Sequence, residues 1–81
     1  MDKFAKFLAK IDARLSASVR ETAVKILSGE WEGLDIQPLK GRKNHFRCRI
    51  GSIRLIFIRV AQNQCVVLDA GFRGEIYKRW K

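Results

Sequence analysis

KGRKNHFRCRIGSIRLIFIR, residues 40–59, decides how the rest of this chain is read. It carries seven basic side chains (Lys40, Arg42, Lys43, Arg47, Arg49, Arg54 and Arg59) and no acid. Through FRCRI (46–50) and IRLIF (53–57) apolar and basic residues alternate, which is the period of a strand rather than of a helix. Gly51-Ser52 between them is a glycine-first dipeptide suited to a two-residue type II′ turn. With that turn Ile50 pairs with Ile53, Arg49 with Arg54, Cys48 with Leu55 and Arg47 with Ile56. One face then holds Phe46, Cys48, Ile50, Ile53, Leu55 and Phe57. The other holds His45, Arg47, Arg49 and Arg54, with Ile56 beside them. Like charges directly opposed weaken a ladder. Arg49 facing Arg54 therefore reads as a surface for meeting an anion.

Working outward, 81 residues make one small domain, residues 1–81, whose chain length allows only about 60% of its unfolded surface to be buried. An apolar fraction of 47% supports a globular fold. The charge is polarised. Residues 1–39 carry six basic and six acidic side chains; residues 40–81 carry eleven basic and two acidic, the whole of the net +9. A neutral half joined to a strongly basic half points to nucleic acid or an acidic partner. No apolar run reaches the roughly 18 residues that span a bilayer, and the N-terminus lacks the apolar core of a signal peptide. The expectation is a cytoplasmic protein with no membrane partner.

Upstream, Asp2 is a cap for a first helix striped by Phe4, Phe7, Leu8, Ile11 and Leu15. Ser16-Ala17-Ser18 breaks the stripe, and Ser18 with Glu21 forms a capping box for a second helix that Gly29 ends. The two form a helical hairpin over 2–29. A connector over 30–43 brings Trp31, Leu34, Ile36 and Leu39 to the core, and Pro38 there excludes a regular strand except at an edge. Downstream of the hairpin, Ala61–Gln64 reads as a four-residue loop before a third strand over 65–71. That loop pairs Val60 with Cys65, Ile58 with Val67, Ile56 with Asp69 and Arg54 with Gly71. It places Asp69 on the arginine face, in reach of Arg54 or Arg47, with Val66, Leu68 and Ala70 on the core face. Cys65 then lies on the face opposite Cys48, so the two thiols are expected free. The expected class is α+β: a helical hairpin on an antiparallel sheet of three to four strands over 44–71, closed by a segment over 72–81.

These features together resemble the RelE/ParE toxin superfamily of bacterial toxin–antitoxin modules, over nearly the whole chain. LKG at 39–41 is similar to the family's L-x-G, FRCRIGSIRLIF at 46–57 to its central hairpin, and VVLDAGFRGEIYKR at 66–79 to its closing segment. Relatives usually open with an edge strand, which this chain lacks, and Phe72 stands where several carry histidine. The resemblance implies a RelE-like endoribonuclease that cleaves mRNA on the ribosome without metal or other cofactor, held silent by a cognate antitoxin. It assigns the catalytic set to Arg47, Arg49, Arg54, Arg73 and Tyr77. Lys40, Arg42, Lys43, His45, Lys78 and Arg79 are further candidates for RNA contact. A ParE-like gyrase inhibitor and a non-toxic RNA-binding relic of the fold are the competing readings.

Each role has a chemical basis. Cleavage by the 2′-hydroxyl needs that group deprotonated, the pentavalent phosphate stabilised and the 5′-oxygen neutralised. Planar guanidinium forks suit the phosphate, and Arg73 the leaving group. Tyr77 is read as a base, as a ring for stacking on a nucleobase, or as an apolar anchor of the tail. Trp80 is read as such an anchor or a partner contact. His45 titrates in a useful range, though a single surface histidine is more often idle.

Overall fold

The computed structural model describes residues 2–80, so the outer limits of the expected domain, residues 1 and 81, lie outside it. Its order is α1 (Lys3–Lys10), α2 (Ala13–Leu27), β1 (Asp35–Pro38), β2 (His45–Ile50), β3 (Ile53–Ala61), β4 (Gln64–Phe72) and α3 (Arg73–Arg79). The four strands form one antiparallel sheet in the order β1-β2-β3-β4. The α+β arrangement is the expected one.

Two aspartates decide where the helices begin. Asp2 caps α1, its Oδ1 accepting the Ala5 N–H at 2.8 Å, and Asp12 caps α2 by accepting the Leu15 N–H at 3.0 Å. The break therefore falls at Ile11-Asp12, both extended, and not at Ser16-Ala17-Ser18. Ser18 and Glu21 sit inside α2, where Ser18 is no cap; its carbonyl accepts the Thr22 hydroxyl. The stripe is shared between the helices. Phe7 and Leu8 come from α1, while Val19, Ala23 and Ile26 come from α2 at spacings of four and three.

The β2–β3 register is the one read from the sequence, residue for residue, from Ile50↔Ile53 to Arg47↔Ile56. Gly51 supplies the positive φ (60°) at the first turn position, as a type II′ turn demands. Cys48, Ile53, Leu55, Phe57 and Ala70 form the sheet's side of the core against the helices. Trp31 seals one end, edge-on to Phe46 and Phe57 at 5.3 Å each, with its indole N–H on the Ile26 carbonyl at 3.1 Å. Each large side chain fully buried here contributes about 1.5–3 kcal/mol.

Two further features differ from the expectation. Within the 30–43 segment read as a connector, Asp35–Pro38 pairs with β2 as an edge strand, the one setting that tolerates Pro38. The β3–β4 loop also spans two residues, Gln62-Asn63, because Asn63 adopts a positive φ of 62°. Irregularities at Leu68 and Val60 absorb the difference. Ile56↔Asp69 and Arg54↔Gly71 stand as expected, whereas Arg59 faces Cys65 and Phe57 faces Val67. Beyond the bulge the faces exchange: Cys65 and Val67 pack on the core and Val66 is exposed. Cys65 thus shares the core side with Cys48. Both thiols are free, since β3 lies between their strands and puts at least two strand spacings, about 10 Å, between them.

Candidate functional site

Alternation along the strands builds the second face of the sheet. Asp35 and Gln37 of β1 stand opposite Arg49 and Arg47 of β2; Arg49 in turn stands opposite Arg54 of β3, and Arg47 opposite Ile56. Helices α1 and α2 cover the other side, so this row is left for α3 to close. α3 covers only the β3–β4 half. Its Ile76 is 4% exposed and Ile56 beneath it is fully buried, so a residue that looked stranded among the arginines is the seat of the helix.

Three contacts fix α3. At its start the Arg73 N–H donates to the Ser52 carbonyl at 2.9 Å, tying the helix to the β2–β3 turn. At its end Asp69 Oδ2 accepts Arg79 Nε at 2.8 Å and Trp80 Nε1 at 2.9 Å. Between them Gly71 lets the helix approach, for a Cβ there would lie 3.0 Å from Arg79 Nη2 and 3.2 Å from Ile76 Cγ1.

The uncovered half is an open cleft of about 1080 Å³ lined by Arg47, Arg49, Arg54, Arg73 and Tyr77 together. All five members of the catalytic set implied by the resemblance are thus brought to one place. Arg54 is the most enclosed of its arginines and donates to the Gly51 and Ile53 carbonyls at 2.9 and 3.1 Å. Burial lowers its pKa, and repulsion from Arg49, Arg73 and Arg47 lowers it further, while Asp35 opposes. Arginine remains charged at neutral pH all the same. Four guanidinium groups that make no ion pair among the described residues form a concentrated positive site for a phosphate. Tyr77 is 68% exposed. It is therefore no anchor of the tail; Ile76 and Trp80 hold that place.

The further basic candidates divide. Lys40 lines the cleft. Arg42 lies over the Trp80 ring at 4.8 Å, and the His45 ring stands 6.2 Å from the same indole, forming a rim beside it. His45 Nδ1 donates to the Lys43 carbonyl at 2.8 Å. Lys43 and Lys78 are exposed away from the cleft lining. Arg79 is spent on Asp69, which corrects the reading of Asp69 as a partner of Arg54 or Arg47.

Burial pushes the Asp69 pKa up, but hydrogen bonds from Arg79, Trp80 and the Ala70 N–H, with the Arg79 charge, bring it below the usual value. Asp35 and Gln37 were missed as site residues. Their signal was available: in DIQP the polar residues fall on alternate positions, and so on one face of an edge strand. Among the described residues no three His, Cys, Asp or Glu side chains group as metal ligands do, and no helix is long and apolar enough to cross a membrane.

Neither a protein-family model nor a curated protein sequence matches this chain. Among solved structures it is similar to a chain of the RelB–RelE antitoxin–toxin complex from Methanococcus jannaschii. The two are 21% identical with a TM-score of 0.71, over 100% of this chain and 96% of that one. At that identity the likeness establishes the fold alone: two N-terminal helices on a four-stranded antiparallel sheet.

Proposed function

We propose that this protein is the toxin of a toxin–antitoxin module, an endoribonuclease that cleaves mRNA on the ribosome and so arrests translation. The observation that carries the reading is the convergence of Arg47, Arg49, Arg54, Arg73 and Tyr77 on one cleft. Three come from adjacent strand positions and two from a helix that the fold takes trouble to hold in place. The RNA phosphate enters between Arg47, Arg49 and Arg54, whose forks neutralise the charge that grows on its equatorial oxygens. Arg73, at the first position of α3, stands for the departing 5′-oxygen. Tyr77, with most of its ring in solvent, stacks on the base next to the scissile bond. A chain of net +9 with this face uncovered suits an acidic antitoxin segment as its silencing partner, since that segment would occupy the site the RNA needs.

The test is purified protein with programmed ribosomes. Wild type should cut the mRNA, and Arg73→Ala should slow cutting by about 100-fold or more, the usual cost of losing one contact to transition-state charge. Tyr77→Ala should weaken it through lost stacking, about 1–3 kcal/mol per base. Intact mRNA with inhibited supercoiling by gyrase would replace this reading with the gyrase-directed one. RNA binding with neither effect, and no growth arrest on induction, would leave an RNA-binding relic.

A further inference from the structure

Proton transfer from the 2′-hydroxyl requires an acceptor, and the phosphate grip of four arginines offers none. Two acids stand on this face of the sheet. Asp69 is committed: it is 1% exposed and its two oxygens accept Arg79, Trp80 and the Ala70 N–H. Asp35 is the reverse. It lines the cleft, stands opposite Arg49 across the β1–β2 pair, and is exposed. Among the described residues it makes no ion pair, and its carboxylate accepts no hydrogen bond. Its charge nevertheless reaches into the cluster, where it favours the charged form of Arg54. His45 does not line the cleft, and Glu75 is exposed beside Arg79.

We propose that Asp35, on the edge strand β1, is the catalytic proton acceptor of the cleft. The proposal rests on the endoribonuclease reading above. Asp35 takes the proton of the 2′-hydroxyl as O2′ forms its bond to phosphorus, and the bond from phosphorus to O5′ breaks. The 5′-oxygen leaves past Arg73 and takes a proton from solvent water, and Asp35 returns its own to water. The products are a 2′,3′-cyclic phosphate and a free 5′-hydroxyl, with no net gain or loss of protons. The charged groups facing Asp35 are Lys40, Arg47, Arg49, Arg54 and Arg73; Tyr77 lies across the cleft from α3.

The experiment compares wild type, Asp35→Asn and Asp35→Glu on programmed ribosomes, with cleavage rate at saturating protein, RNA affinity and the chemistry of the new ends read separately. Asp35→Asn should cut at least about 100-fold more slowly, within the range for general base catalysis, and bind RNA as tightly as wild type or more so. Asp35→Glu should recover part of the rate, and wild-type products should end in cyclic phosphate. Equal cutting by wild type and Asp35→Asn, with the same dependence of rate on pH, would overturn the assignment and leave the endoribonuclease reading standing. Wild type that binds RNA and never cuts it would overturn both.

Discussion

Arg79 Nε donates to Asp69 Oδ2 at 2.8 Å, which joins the last turn of α3 to the middle of β4. With Trp80 Nε1 on the same oxygen, the contact holds one side of the cleft in place, although neither Arg79 nor Asp69 lines it. Breaking a buried charged pair costs about 3–5 kcal/mol. Arg79 is 40% exposed and finds water readily, so Asp69→Asn and Arg79→Ala should each cost about 1–3 kcal/mol. Urea unfolding midpoints measure this. Cutting should fall in the same variants because Arg73 and Tyr77 ride on α3. Full activity with α3 loosened would show that the helix need not be docked.

The same pair sets a dependence on acid. Asp69 is held below its ordinary pKa in the folded chain despite its burial. Its contribution is therefore complete above the unfolded value of about 3.9 and is lost as pH falls through the lower folded value. Thermal unfolding followed downward from about pH 6 should show Tm dropping most steeply below about pH 4. Asp69→Asn should start lower and flatten that limb. An unchanged limb would place the acid sensitivity on another carboxylate.

Gly71 separates docking from chemistry in a different way. A Cβ there would meet Arg79 Nη2 at 3.0 Å and the Ile76 side chain at 3.2 and 3.3 Å. Arg79 is flexible at its tip, whereas Ile76 is buried and has little room to yield. Gly71→Ala should cost about 1–3 kcal/mol by overpacking. It should also lift α3 by a few tenths of an ångström, and the cleavage rate should fall by about 10- to 100-fold, since small misplacements of catalytic groups are costly. Melting and single-turnover cleavage on one preparation give both numbers. A stability loss with undiminished cutting would show that the cleft tolerates movement of its helix.

The hairpin was legible because period, turn and charge all agreed there: Gly51-Ser52 fixes the register, and the register fixes both faces. Arg73 and Tyr77 were legible only because the closing motif resembled a family pattern; nothing in GEIYKR alone says that α3 folds across the arginine face. Asp12 competes as a cap with the longer Ser18–Glu21 pattern, and it wins because Ile11 and Asp12 take the extended backbone that a helix start needs. The β3–β4 register failed at Asn63, whose positive φ shortens the loop, and no alternation in CVVLDA reveals the extra residue at Leu68. Asp35 and Gln37 carry a signal, the alternation in DIQP, but a faint one. Four residues ending in proline make a weak strand signal, and their partner lies in β2, not beside them in sequence. The Asp69–Arg79 pair depends on where α3 lands, which tertiary packing decides.

Arg49 and Arg54 face each other directly in the β2–β3 ladder, and neither makes an ion pair among the described residues. Opposed like charges cost about 0.2–1 kcal/mol relative to neutral pairs. Arg49→Thr relieves that repulsion with a residue well suited to strands. It should therefore raise Tm, by about 1–8 °C for a domain of this size. RNA affinity should drop in the same variant, and the slope of log affinity against log salt should shrink by about 0.7, as for one lost phosphate contact on a single strand. Unfolding and salt titration of the two proteins side by side read both effects. If Arg49→Thr melts earlier instead, the arginine is part of the scaffold, and the view of this face as one kept unstable for the sake of an anion is wrong.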